Sequence, residues 1–259
     1  MAKRRGRRRL KKKEENILTT LILIAAVAVF CVSGFQLFRI VKGYKEGRNE
    51  YEKISNLVLE KEEGEKFRVN FDELLEINPD TIGWIRFAPE PEIINYPVVQ
   101  GDDNDYYLKK TFSATENTLG SIFVDVRNTP DFADRNTIIY GHRMKDGSMF
   151  RKLEDYKDKK FWEENPYFYI YTLDGYELTY HIYSVGTVLD RADTYLTSFA
   201  NNEEFMQFVN YTKSTSIYDT EVAVTEDDTV VTLSTCTASS DEHRFVVHGV
   251  LEKIVMLED

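Results

Sequence analysis

Between Ile17 and Phe38 the chain runs for 22 residues without a charged side chain. As a helix rising 1.5 Å per residue, this run reaches roughly 33 Å, enough to cross a hydrocarbon core about 30 Å thick. A chain with such a span must place its two flanks in different aqueous compartments. Lys3, Arg4, Arg5, Arg7, Arg8, Arg9, Lys11, Lys12 and Lys13 crowd the head that precedes it. The positive-inside rule keeps such a head in the cytoplasm and sends everything after Arg39 outside. Ala26-Val27-Ala28 offers a small-residue cleavage site, but the apolar run continues for ten residues beyond it, more than a signal peptide needs. The expectation is an uncleaved, single-pass anchor in the cell membrane: 1–16 a cytoplasmic basic head, 17–38 the span, 39–69 a helical stalk and 70–259 an extracellular domain.

The exported part is acidic. The whole chain carries a net charge of −11, and setting aside the nine basic residues of the head leaves −20. That charge argues against binding nucleic acid or anionic lipid, so the basic head reads as a topology signal. Lys42 to about Gly64 is charged with spaced apolar positions, the pattern of a stalk helix. Asn70 to Ile77 predicts a short helix ended by Asn78-Pro79. From Gly83 onwards β-branched and aromatic runs alternate with turns. Strands are expected over Gly83–Phe87, Ile93–Val99, Ser121–Val126, Asn136–Gly141, Tyr167–Tyr171, Tyr176–Leu189, Thr229–Cys236 and Arg244–Val255. Helices are expected over Phe150–Trp162 and Glu203–Lys213. Eight strands with few helices predict a mainly β fold, a closed or nearly closed barrel.

The chain has two cysteines, and Cys31 lies within the apolar span. Cys236 therefore has no partner for a disulfide in the exported part, where free thiols are oxidised unless something uses them. It ends the run Thr232-Leu233-Ser234-Thr235-Cys236, at the end of a strand. If that strand pairs with the next as a hairpin across Thr237–His243, Arg244 comes close to Cys236, and an arginine there can donate to a developing oxyanion. A thiol nucleophile also needs a proton partner, for which His142, His181, His243 and His248 are available. His181 lies within a strand pattern, His243 points away from the arginine's face, and His248 lies about 13 Å further along the strand. His142, where a strand ends at a turn, is best placed, although spacing alone does not decide among the four. A buried thiol that only packs is the plainer alternative.

Thr232-Leu233-Ser234-Thr235-Cys236, Arg244-Phe245-Val246-Val247 and Ile139-Tyr140-Gly141-His142 together resemble a sortase. Pro97 to Leu108, Gly120 to Asp125, Asp146 to Phe150 and the expected helix over Glu203–Lys213 resemble class B sortases in particular. The resemblance covers roughly Phe71 to Val255. It implies an eight-stranded sortase barrel with N-terminal helices and a helix in the loop before the cysteine strand. It implies a membrane-anchored cysteine transpeptidase on the outside of a Gram-positive cell. Such an enzyme cleaves a C-terminal sorting motif of secreted proteins through a thioacyl-enzyme. It then passes the acyl group to an amine of peptidoglycan or of its lipid-linked precursor. Carried over, Cys236 is the nucleophile, His142 the acid and base, and Arg244 the oxyanion donor. Asn104, Leu108, Tyr195, Leu196 and Ser234 match substrate-groove positions, with core packing the alternative for Leu108, Tyr195 and Leu196. A cysteine hydrolase or protease, a pilin-polymerising sortase and a non-catalytic binding domain are the competing functions. No cofactor or metal is expected, because no zinc-ligand spacing, phosphate loop or EF-hand pattern is present.

Overall fold

The computed structural model describes residues 2–58, 67–236 and 242–257, with side chains over 17–58, 67–235 and 242–257. The side chains of the basic head, the far end of the expected stalk, the Cys236 side chain and most of the loop that follows it lie outside the described residues.

The apolar run belongs to α1, a continuous helix over Ala2–Val58. Leu21, Phe30 and Leu37 are all exposed on it, and the stretch from Ile17 onward is long and apolar enough to cross a membrane. The chain divides into two units, residues 1–45 and 46–259. The last turns of α1 therefore belong with the barrel. Tyr51, Ile54 and Val58 are buried there, at the three- and four-residue spacing of one helix face. Leu57, one residue off that face, is 56% exposed.

The barrel is built from β1 (Thr81–Phe87), β2 (Asn95–Val99), β3 (Ile122–Val124), β4 (Asn136–Tyr140), β5 (Tyr167–Thr172), β6 (Tyr176–Leu189), β7 (Val230–Cys236) and β8 (His243–Met256). It closes in the order β1-β2-β3-β4-β7-β8-β6-β5. The expected strands thus match the observed ones to within a few residues. Most neighbours are antiparallel, but β2 with β3 and β4 with β7 are parallel. Closure removes the free edges that an open sheet would expose. Aromatic rings fill part of the interior: Phe87 stacks on Phe168 at 5.3 Å, and Phe168 on Tyr180 at 5.1 Å. Each is fully buried, and truncating such a ring to alanine costs about 3–5 kcal/mol.

α2 (Phe71–Ile77) starts where the Asn70 side chain accepts the Glu73 N–H, and ends at Asn78. α4 (Asn202–Ser214) begins the same way, with Asn201 accepting from Glu204. Its buried Phe205, Phe208 and Val209 pack against Tyr183, Val230 and Val250 of the barrel wall. The expected helix over Phe150–Trp162 is two pieces. A 3₁₀ helix covers Phe150–Lys157, and α3 (Lys159–Glu164) follows, capped by Asp158. The buried residues of the first piece, Phe150, Leu153 and Tyr156, recur every three positions. That period is the 3₁₀ period, in which such residues eclipse one another.

Candidate active site

Three chain segments meet at one end of the barrel. Strand β4 runs parallel to β7 with Tyr140 opposite Ser234, and the Gly141 N–H continues the ladder to the Ser234 carbonyl at 3.1 Å. His142 is the next residue. On the other side of β7, β8 pairs antiparallel with Cys236 directly opposite Arg244. The register therefore puts the backbones of Cys236, Arg244 and the His142 turn side by side.

Local packing fixes the histidine. Gly141 is required by close approach: a Cβ there would lie 2.6 Å from Ile122 Cδ1 and from the Phe150 ring. Gly120 has φ +61°, and its Cβ would meet His142 Cδ2 at 2.7 Å. Only a bare Cα lets that loop lie against the imidazole. His142 Nε2 is 2.6 Å from the Leu108 carbonyl oxygen. A carbonyl only accepts, so Nε2 carries the proton, and in the neutral ring Nδ1 is the nitrogen with a free lone pair.

A groove of about 250 Å³ opens between these residues, bordered by Asn104, Leu108, Tyr140, His142, Ser234 and Arg244, with Asp105, Phe123 and Thr235 among the rest. Arg244 Nη1 donates to the His243 carbonyl at 3.1 Å, and Nη2 is 3.8 Å from Asp190 Oδ2. Of the expected groove residues, Asn104, Leu108 and Ser234 line it directly. Asn104 Oδ1 also accepts the Val126 N–H at 2.9 Å, tying its loop to the end of β3. Tyr195 reaches the groove through Ser234, whose hydroxyl is 2.9 Å from the tyrosine oxygen. Leu196 is 40% exposed, with its carbonyl accepting from Asn136 Nδ2. None of Leu108, Tyr195 and Leu196 is buried in the core.

The other histidines lie elsewhere on the barrel strands. His181 Nδ1 is 2.8 Å from Glu252 Oε2. His243 lies opposite Leu189 in the β6–β8 ladder. His248 is fully buried beside Thr194, and burial pushes its pKa down to about 3.

Two features of the site have no counterpart among the residues expected from the sequence. The first is Tyr140, which lines the groove, stacks on Tyr195 at 6.3 Å and donates to Asp125 Oδ2 at 2.8 Å. Burial raises the Asp125 pKa, but hydrogen bonds from Arg127 and Tyr140 outweigh it and hold the carboxyl at about 2. The second is the Leu108 carbonyl, a backbone group that no side-chain motif announces. Tyr140 had a signal in the sequence, since it ends the strand two residues before His142.

The fold and this rim define a closed β-barrel of the sortase type. A family model described as the sortase domain matches residues 88–252. Sortase B of Listeria monocytogenes is 40% identical over 183 residues, covering 69% of this chain and 72% of that protein. Sortase B of Staphylococcus aureus is 33% identical over 236 residues, covering 89% and 95%. Among solved structures, sortase B of Bacillus anthracis in complex with AAEK1 superposes with a TM-score of 0.73 at 36% identity, covering 83% of this chain and 100% of that one. The Staphylococcus aureus sortase B–substrate complex gives 0.69 at 31% identity, covering 83% and 98%. The chain therefore belongs to the sortase family, in its class B, and is a cysteine transpeptidase.

Proposed function

We propose that this sortase is held in the membrane by α1 with its barrel outside the cell, and that Cys236, His142 and Arg244 carry its chemistry. In this scheme the Cys236 thiolate attacks the scissile carbonyl of a sorting motif near the C-terminus of a secreted protein. Arg244 donates to the developing oxyanion through its planar fork. His142 Nδ1, having taken the thiol proton of Cys236, passes it to the departing amine as the C–N bond breaks, leaving a thioacyl-enzyme. It then takes a proton from the incoming amine of peptidoglycan or its lipid-linked precursor. Asn104, Leu108, Ser234, Tyr195 and Leu196 hold the motif in and around the groove.

The observation that carries this scheme is the register that pairs Cys236 with Arg244 while the parallel β4–β7 ladder ends just before His142. That Staphylococcus aureus sortase B has been solved as a substrate complex supports a substrate site in this fold. The test is transfer of a sorting peptide to an amine acceptor, with mass spectrometry of the enzyme. A covalent adduct on Cys236 is expected in the wild type. Cys236→Ala and His142→Ala should abolish transfer with unchanged circular dichroism. Full transfer by either variant would falsify its role, and a product that never carries the added amine would overturn the proposed amine acceptor.

A further inference from the structure

The last turns of α1 do more than lead to the barrel. They hold the two loops between which His142 is set, and Tyr51 is the central contact. The Tyr51 hydroxyl donates to the Gly120 carbonyl at 2.7 Å, lies 3.3 Å from Ser121 Oγ and accepts the Phe112 N–H at 3.3 Å. These three groups belong to the loop over 109–121. Gly120 is the residue that lies against the imidazole, and the Leu108 carbonyl at the start of the loop accepts from Nε2. Ser121 Oγ donates on to the Lys110 carbonyl at 2.8 Å, so the loop is closed around the tyrosine oxygen.

The same face of α1 reaches the second loop, over 143–149. The Tyr51 ring meets Tyr96 edge-on at 5.4 Å, and Tyr96 Oη accepts the Met149 N–H at 3.1 Å. Arg48 Nε is 3.5 Å from Asp146 Oδ2, and Asp146 Oδ1 accepts from Ser148. One turn earlier, Gly47 lets the helix approach closely: a Cβ there would lie 2.9 Å from Leu119 Cδ2. Tyr51 is buried, and burial raises the pKa of its hydroxyl, which therefore stays a donor at any working pH.

We propose that Tyr51 is a positioning residue for the transpeptidation reaction, setting the Gly120 loop against His142 so that its Nε2–H stays on the Leu108 carbonyl and Nδ1 faces the groove. The juxtamembrane end of α1 is thus a working part of the catalytic apparatus. This proposal rests on His142 being the acid and base.

The test uses the full chain in detergent with a sorting peptide and an amine acceptor. Tyr51→Phe removes one oxygen and keeps the ring packing on Tyr96. Its kcat is expected to fall about tenfold with KM within twofold, and the downfield imidazole Nε2–H proton signal of His142 should broaden or vanish. Gly47→Ala tests the same strut without removing a hydrogen bond, since alanine favours the helix itself. It should lower kcat several-fold with circular dichroism unchanged, which keeps the proposal testable if Tyr51→Phe does not fold. His142→Ala, run alongside, tests the underlying assignment separately. Wild-type kcat and an intact Nε2–H signal in the strut variants, with His142→Ala inactive, would overturn the role of Tyr51 alone. A rise in KM without a fall in kcat would also overturn it, because the strut would then shape the groove and not the histidine.

Discussion

Arg244 is the residue at which charge and geometry can be told apart. Its guanidinium is partly exposed at the groove, lies 3.8 Å from Asp190 and is opposite Cys236 in the ladder. A planar fork aimed at an oxyanion offers two parallel donors, whereas an ammonium offers a point charge. Losing one oxyanion donor costs about 10²–10³ in rate. Arg244→Lys and Arg244→Ala should therefore both lose on the order of a hundredfold in kcat, with little change in melting temperature because the side chain faces the groove. Near-wild-type turnover in the lysine variant would show that positive charge suffices, and the oxyanion role would fall. Cys236 and Arg244 stand out in the sequence as reactive side chains at strand ends, whereas His142 is singled out from four histidines only by the sortase resemblance. The Leu108 carbonyl and the bare Cα of Gly120 are not legible there. Their contribution is backbone placement, which appears only when the loop over 109–121 is folded against the imidazole.

Elements were legible where local periodicity speaks for itself. The β-branched runs marked the strands, the stretch from Asn70 to the Asn78-Pro79 stop marked α2, and Phe205, Phe208 and Val209 on one face marked α4. The segment from Phe150 shows a finer signal: its three-residue period marks a 3₁₀ helix, not the single longer helix expected. Pairing order was less accessible, because β7 reaches β4 across β5, β6 and α4, and nothing local encodes that parallel contact. His248 joins such distant elements. It lies on β8, fully buried, with Nε2 3.2 Å from the hydroxyl of Thr194 in the turn that carries Tyr195. Burial holds its pKa at about 3 in the folded state, against 6.5 in the unfolded chain. The group therefore costs nothing above pH 6.5, and stability is lost as pH falls towards 3, because only the unfolded chain takes up the proton. The loss is at most about 1.4 kcal/mol per pH unit. Asp125 titrates from 3.8 down to about 2, so its contribution is lost only at lower pH. Between pH 6.5 and 4.5 the melting temperature of the wild type should drop by several degrees, and His248→Gln, though less stable, should show a flatter profile. Equal slopes in the two proteins would mean that His248 is not the titrating group.

At the scale of the whole molecule, the decisive question is where the barrel stands relative to the membrane. The basic head, the uncharged run and the acidic remainder are arranged in one direction along the chain, and by the positive-inside rule that order predicts a topology. α1 carries the apolar run and continues without a break to Val58, so Ala26-Val27-Ala28 lies inside a regular helix. A signal-peptide cleavage site follows a short apolar core, whereas this one lies ten residues before the end of its apolar run. The intact anchor is thus the expected mature form. Its last turns also bear on catalysis, since Tyr51 and the Gly120 loop belong to the same unit as the barrel. Protease added to intact cells should digest the barrel while an epitope fused ahead of Lys3 survives, and the mature chain should retain the basic head. An N-terminus immediately after Ala28, or a barrel protected until the cells are lysed, would refute this topology. In the second case the acidic barrel would face the cytoplasm, away from any cell-wall amine, and its acyl acceptor would have to be sought there.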